Sequence, residues 1–293
     1  MNRREVLQSF LAAAFGLSAQ PTEITLYPLG KNLQLLAAPG SGNMALLAGK
    51  DGLLMIDSGV PDTITGVMAK AKTVAPKIDL LINTHWHFDH VGGNTAIGKT
   101  GTKILAHINV KRRLSTPQKI VFMNRDIPAM DKEGQPSETF TDKGHLTFAD
   151  EKVSYQHLPP AHTDGDTVIH FQHANVLHCG DLYFNGFYPF IDYSSGGNIE
   201  GMAANALRLL KMADAQTKII PGHGVVSGKP ELQAYYDMLV GVNKNVSKLV
   251  KEGKPLEQVV AAKPTAKWDA KWGGGFLKPE QVVAMLYQGK TAK

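Results

Sequence analysis

Thr84-His85-Trp86-His87-Phe88-Asp89-His90-Val91-Gly92-Gly93-Asn94 decides the reading of this chain. Leu80, Leu81 and Ile82 run straight into it, so an apolar strand delivers four metal-binding side chains within six residues. Zinc takes imidazole nitrogen and carboxylate oxygen at about 2.0–2.2 Å, and its catalytic sites keep a position open for water. On an extended backbone His85 and His87 share a face, while Asp89 and His90 must turn elsewhere. Four donors this close do not reach one ion comfortably. The pattern therefore predicts two metals, one gripped by His85 and His87 and the other by Asp89 and His90. A polar loop bonded to backbone and water would account for a lone histidine. It does not account for His-x-His-x-Asp-His, histidine being the commonest metal ligand.

These four residues, at the end of a buried strand and followed by Gly92-Gly93-Asn94, resemble the signature of the metallo-β-lactamase superfamily of metal hydrolases. The resemblance implies three more ligands downstream. The chain supplies His162 in Pro160-Ala161-His162-Thr163-Asp164-Gly165-Asp166-Thr167, Asp181 in Cys179-Gly180-Asp181, and His223 in Ile219-Ile220-Pro221-Gly222-His223-Gly224. By the same resemblance the fold is α/β, an αβ/βα four-layer sandwich, with the ligands at strand ends along one edge. Metal one takes His85, His87 and His162, metal two takes Asp89, His90 and His223, and Asp181 bridges them. Such a pair lowers the pKa of a shared water toward about 7 and polarises the bond that water attacks. No Ser or Cys nucleophile is required, and Asp89 is the catalytic candidate that also orients the water. Redox di-iron relatives tend to carry a carboxylate where this chain has His87, so an all-imidazole first site suits zinc, two ions per chain.

The chain has 293 residues, 43% of them hydrophobic, enough for a sizeable core. Its formal charge of +5 is spread out, with lysines such as Lys251, Lys254, Lys263 and Lys267 toward the C-terminus. Without a compact basic run, nucleic acid is not an expected partner, and a small-molecule substrate is. A single cysteine, Cys179, excludes an internal disulfide framework. Residues 1–20 read as a signal peptide: Arg3 and Arg4, an apolar run from Val6 to Leu17, then small residues to Ala19. The paired arginines resemble a twin-arginine export signal, which places the mature protein in the periplasm or outside the cell. The run is too short for a stable membrane span, and no other apolar run reaches spanning length. Oligomeric state is left open.

Residues 21–293 then form the metallo-β-lactamase-type domain, with 253–293 as a C-terminal helical extension. Strands are expected at 33–37, 44–48 and 53–57, and a helix carries Ile64, Val67, Met68 and Ala71 at helical spacing. The strand entering the ligands is followed by a strand at 103–106 and a basic helix with Lys111, Arg112 and Arg113. Pro117, Pro128, Gly134 and Pro136 make 116–144 irregular, either a cover for the site or a surface loop packed away from it. Strands recur between Leu146 and Asp181, and helices at 199–213 and 230–252 bracket a strand at 218–220.

Asp57 and Asp166, each beside a Gly or turn residue, are candidates to fix histidine tautomers, or else form ordinary Asx-turns. Cys179 and Asp181 would share a face in a regular strand, so the two compete for one ligand position. The Gly-Asp pair favours Asp181, with Cys179 a small buried apolar residue. His107, His145, His157, His170, His173 and His178 lack a ligand-like context. Trp86, Phe88, Tyr183 and Phe184 are candidates for an apolar substrate rim, and Asn43 lies in a turn expected near the cleft. Lactams, lactones, esters and thioesters are all admissible. A β-lactamase degrading β-lactam antibiotics is the leading specific alternative. Against it, the Cys-containing lactamase subclass carries a Lys three residues after that ligand, where this chain has Phe184. A glyoxalase-II-like thioesterase and a non-catalytic metal-binding protein are weaker alternatives.

Overall fold

A computed structural model describes residues 22–50 and 52–291. The signal-peptide reading of residues 1–20 falls outside the described residues. Seven strands form the first sheet, in the order β1 (Thr25–Pro28), β2 (Leu33–Ala37), β3 (Met44–Ala48), β4 (Leu53–Ile56), β5 (Ile78–Ile82), β6 (Lys103–His107) and β9 (Glu138–Phe140). β1 to β4 are antiparallel, and β4, β5, β6 and β9 run parallel. A hairpin of β7 (Gln118–Ile120) and β8 (Arg125–Ile127) stands apart. The second sheet has the order β10 (Lys143–Phe148), β11 (Glu151–His157), β12 (Thr167–Phe171), β13 (Val176–His178) and β14 (Lys218–Ile220), only the last pair being parallel.

The central strands read as unbroken apolar runs because both their faces are buried. In β4, Leu54 and Ile56 point between the sheets, where they meet Ile82, Leu105, Val153, Ile169, Phe171 and Ile220. Leu53 and Met55 point the other way, onto Val67 and Ala71 of α1 (Ile64–Lys72) and Ile97 of α3 (Asn94–Gly98). The outer face of the second sheet is covered by α5 (Ile199–Met212) and α6 (Lys229–Lys251). Met202, Ala206 and Leu209 of α5 recur at helical spacing, and its first turn is capped by the Asn198 side chain accepting from Gly201 N at 2.6 Å. Helix, sheet, sheet, helix is the four-layer αβ/βα sandwich.

Short helices α2 (Phe88–Val91) and α4 (Ile108–Leu114) follow β5 and β6. Residues 256–291 form α7 (Leu256–Ala261), α8 (Ala266–Trp272) and α9 (Pro279–Thr291). Trp272, Val282, Met285 and Leu286 join the same core cluster as Tyr188 and Met238, so this segment is packed into the main body. Among the described residues no helix is long and apolar enough to cross a membrane.

Candidate metal centre

The parallel pairs β4/β5 and β13/β14 end at the same edge of the sandwich, and the loops leaving those ends carry the donors. β5 leads into His85 and His87, the β11–β12 loop holds His162, β13 leads to Asp181 and β14 to His223. Two groups of donor atoms result: His85, His87, His162 and Asp181, and Asp89, His90 and His223, all donors of a group lying within 4.8 Å of one another. Asp181 belongs to both in its geometry. Its Oδ2 lies 3.3 Å from His162 Nε2 and 3.9 Å from His85 Nε2, while its Oδ1 lies 3.1 Å from His90 Nε2 and 3.5 Å from His223 Nε2. In the second group Asp89 Oδ2 is 3.1 Å from His223 Nε2.

Each imidazole of the first strand-end loop is held from behind. His90 Nδ1–H donates to Asp57 Oδ2 at 2.8 Å, and His87 Nε2–H donates to Asp192 Oδ2 at 3.0 Å. Likewise His162 Nδ1–H donates to the Phe190 carbonyl at 2.8 Å. Thr84 Oγ1 donates to Asp57 at 2.6 Å and so accepts from His85 Nδ1 at 3.1 Å. These bonds aim His85 Nε2, His87 Nδ1, His90 Nε2 and His162 Nε2 inward, so that each ring, once neutral, presents the nitrogen a metal needs. His85 Nε2 is buried with no hydrogen-bond partner, and His162 Nε2 sits 2.8 Å from His87 Nδ1. Two imidazole lone pairs at that distance repel unless a proton or cation lies between them. The donor set fits metal ions.

Electrostatics separate the groups. Burial drives the pKa of His85 well below the ordinary imidazole value and that of His162 down to about 4, so both are neutral at pH 7. Burial also opposes the charge on His223, but Asp181 and Asp89 outweigh it and lift the pKa to about 9. His90 is raised in the same way by Asp181 and Asp89. Burial works against Asp89 too, and the His90 and His223 charges hold its carboxyl down at about 2. The side chains of Asp89 and His223 keep 16% and 12% exposure, so solvent reaches the centre from the second group.

Asp181 and Cys179 do not share a face. β13 ends at His178, and Gly180 at φ +49° turns the chain so that Asp181 faces the histidines while Cys179 is buried in the core. A Cβ on Gly180 would lie 2.7 Å from Thr84 Cβ, so this turn admits only glycine comfortably. Burial raises the Cys179 thiol far above its ordinary pKa, and it stays protonated.

Several expected roles are corrected. Trp86 and Tyr183 are fully buried core residues, the latter packed on Tyr235 and bonded to Ser227 Oγ at 3.0 Å, so neither rims a substrate opening. Phe184 is buried as well and stacks on the His223 ring at 5.4 Å. Alternation about the ligands hid this, because loops between two cores place neighbours inside. Asn43 spends its side-chain amide on the carbonyls of Pro221 and Gly224, at 2.9 and 2.8 Å, and so clamps the His223 loop. Asp166 holds no imidazole. Its carboxylate accepts from His162 N at 2.8 Å and Thr163 Oγ1 at 2.5 Å, fixing the backbone that carries His162, and burial lifts its pKa to about 7. Phe88 is half-buried near the opening, under the Arg125 guanidinium at 3.5 Å. Asp192 was not legible as a partner of His87; its only local signal is the Asp-Tyr-Ser-Ser turn, in which it accepts from Ser194 N at 3.0 Å.

Comparison with known proteins agrees with this geometry. The family model of the metallo-beta-lactamase superfamily matches residues 37–223, and the chain belongs to that superfamily. An acyl-coenzyme A thioesterase of Gallus gallus is 24% identical over 215 residues, covering 66% of this chain and 76% of that protein. A hydroxyacylglutathione hydrolase of Rhodospirillum rubrum is 28% identical over 167 residues, covering 56% of this chain and 55% of that protein, about half its length. Among solved structures, a metallo-beta-lactamase from Pontibacter korlensis superposes with a TM-score of 0.59 at 16% identity, over 74% of this chain and 99% of that one. The sec-alkylsulfatase Pisa1 from Pseudomonas sp. gives a TM-score of 0.68 at 17% identity, over 90% of this chain and 50% of that one. At these identities the structural matches establish the shared fold.

Proposed function

We propose that this protein is an exported binuclear zinc hydrolase that cleaves an ester or thioester with water. The observation that carries the proposal is Asp181, whose two oxygens face two separate donor groups. In this reading His85, His87 and His162 would hold one ion, Asp89, His90 and His223 the other, and Asp181 would serve both. Ions bound there would supply an activated water and a Lewis acid for the carbonyl. Asp57 and Asp192 keep His90 and His87 aimed inward, and the partly exposed Asp89 carboxylate would accept a hydrogen bond from an attacking water and orient it. Imidazole and carboxylate donors without thiolate suit zinc.

The names of these curated relatives support thioesters over lactams, and a buried Phe184 against His223 offers a lactam carboxylate no cation at that place. Export rests on Arg3-Arg4 and the apolar run behind them. Metal analysis beside turnover of acyl thioesters, esters, a lactone and a chromogenic cephalosporin tests the chemistry. Two zinc ions per chain, thioester or ester turnover, and loss of both in Asp181→Ala are expected. One ion, or iron with no turnover, refutes the proposal, and preferential cephalosporin cleavage replaces the substrate class. N-terminal sequencing of the protein from the periplasm tests export; an intact Met1 on cytosolic protein refutes it.

A further inference from the structure

We infer that the opening beside the metal centre carries an amphiphile-binding rim, in which Val121, Met123 and Phe276 take the hydrocarbon part of the substrate and Arg125 takes an anionic group on it. This deepens the hydrolase reading and rests on it.

Large exposed apolar side chains are few among the described residues, and three of them, Val121, Met123 and Phe276 at 63%, 37% and 56% exposure, come from two segments remote in sequence that meet at one place. The meeting point is Phe190, whose ring lies 5.9 Å from that of His87 and 6.0 Å from that of His162. Phe122, between Val121 and Met123, packs on Phe190 at 6.2 Å, and Phe276 packs on it at 6.5 Å. The hairpin turn is pinned there by Val121 N donating to Ser194 Oγ at 3.2 Å. From the other metal group buried Phe184, stacked on His223, packs on half-buried Phe187, against which the Gly275 backbone lies. Apolar surface left uncovered beside a reactive centre marks the place where a ligand covers it.

Arg125 follows Met123 on the same hairpin. Its guanidinium carbon lies 3.5 Å from the ring centroid of Phe88, the residue between His87 and Asp89. Among the described residues it has no carboxylate partner, since the neighbouring Asp126 pairs with Lys119. A guanidinium over a ring face keeps N–H groups for an anion. Exposed apolar side chains and one cation on the segments packed beside the centre suit a substrate with a hydrocarbon body and a negative charge.

Calorimetric titration of the zinc-loaded protein with hexanesulfonate, decanesulfonate and decanol tests the rim without turnover. Each methylene fully buried is worth about fourfold in affinity, so decanesulfonate, with partial burial of its four extra methylenes, is expected to bind at least about tenfold tighter than hexanesulfonate. Phe276→Ser and the double variant V121S/M123S are expected to erase most of that gain. Arg125→Gln is expected to weaken decanesulfonate at least about fivefold and leave decanol unaffected. Val240→Ser, which removes an exposed apolar side chain on α6, controls for general surface effects and is expected to behave as wild type. No chain-length dependence, no binding, or equal behaviour of all variants overturns the rim. Binding that follows these variants in a protein that turns over no ester or thioester overturns the hydrolase reading and leaves the rim standing.

Discussion

An imidazole is aimed by whatever holds its far nitrogen, and at the residue scale Asp57 and Asp192 do this work. Asp57 is fully buried at φ +57°, an uncommon conformation for a residue with a side chain, and one carboxylate serves Thr84 N, Thr84 Oγ1 and His90 Nδ1. That density of bonds compensates the backbone strain, on the order of 1–3 kcal/mol. Its role was legible because it sits in an Asp-Ser-Gly turn just after an apolar strand. Asp192 lies 105 residues from His87, and nothing local in the sequence announces a partner so far away. The Ser194 and Ser195 hydroxyls also donate to Asp192; burial disfavours its charge, and His87 together with these donors keeps it well below the ordinary carboxylate range. Replacing Asp192 with Ala frees His87 to rotate. Zinc affinity of the first group is expected to fall about 10–100-fold, with the second group little changed. Competition against a chromogenic chelator reads this directly, and unchanged affinity at both groups would show that His87 needs no orienting partner.

Strand and helix positions at the element scale were legible wherever an apolar run is long enough to fill both faces or one helical stripe. Leu33–Ala37, Met44–Ala48 and Leu53–Ile56 appear where the apolar runs put them, and Ile199–Met212 within the helix expected at 199–213. Glu138–Phe140 was not legible, because three residues with one apolar side chain become a strand only by pairing with Leu105–His107. The same holds for the hairpin at Gln118–Ile127, whose Phe122 finds its partner in Phe190. The turn after β13 is the element on which the centre depends most. In Gly180→Ala the new Cβ meets Thr84 in a left-handed backbone conformation, and the hydroxyl of that threonine bridges Asp57 and His85. The variant is expected to lose on the order of 1–3 kcal/mol of stability and to bind fewer zinc ions. Urea denaturation and metal content measure the two losses. A variant with wild-type stability and two ions would mean that the turn tolerates a side chain.

On the scale of the whole molecule, burying a charge cluster at the edge of two packed sheets makes both stability and metal loading depend on pH, and the sequence reveals the donors without revealing their protonation. His178 is buried on β13, donating from Nε2 to the Asn43 carbonyl at 3.1 Å and accepting from Gly180 N at 3.3 Å, and burial lowers its pKa to about 4. Its unfolded value is about 6.5. Between those values the unfolded chain binds a proton that the folded one refuses. Its contribution, about 3 kcal/mol, is therefore fully present above pH 6.5 and lost as pH falls to about 4. Denaturation of metal-free protein at pH 7.5 and 4.5 should show this loss, reduced in His178→Gln; an equal loss in both would assign it elsewhere. The metal groups respond to pH differently from one another. His85 and His162 are already neutral at pH 7, so the first group loads zinc without shedding their protons. His223, with a pKa of about 9, and His90, also raised, are protonated in the metal-free protein and must lose those protons to bind. Affinity of the second group should thus rise at least about tenfold per pH unit up to about pH 9, more steeply than that of the first. Zinc titration by calorimetry is expected to give one strong site at pH 6 and two at pH 8.5. Buffers of different ionisation enthalpy should report protons released with the second ion. Two sites of equal strength at both pH values would mean that Asp89 and Asp181 do not hold those protons on His90 and His223.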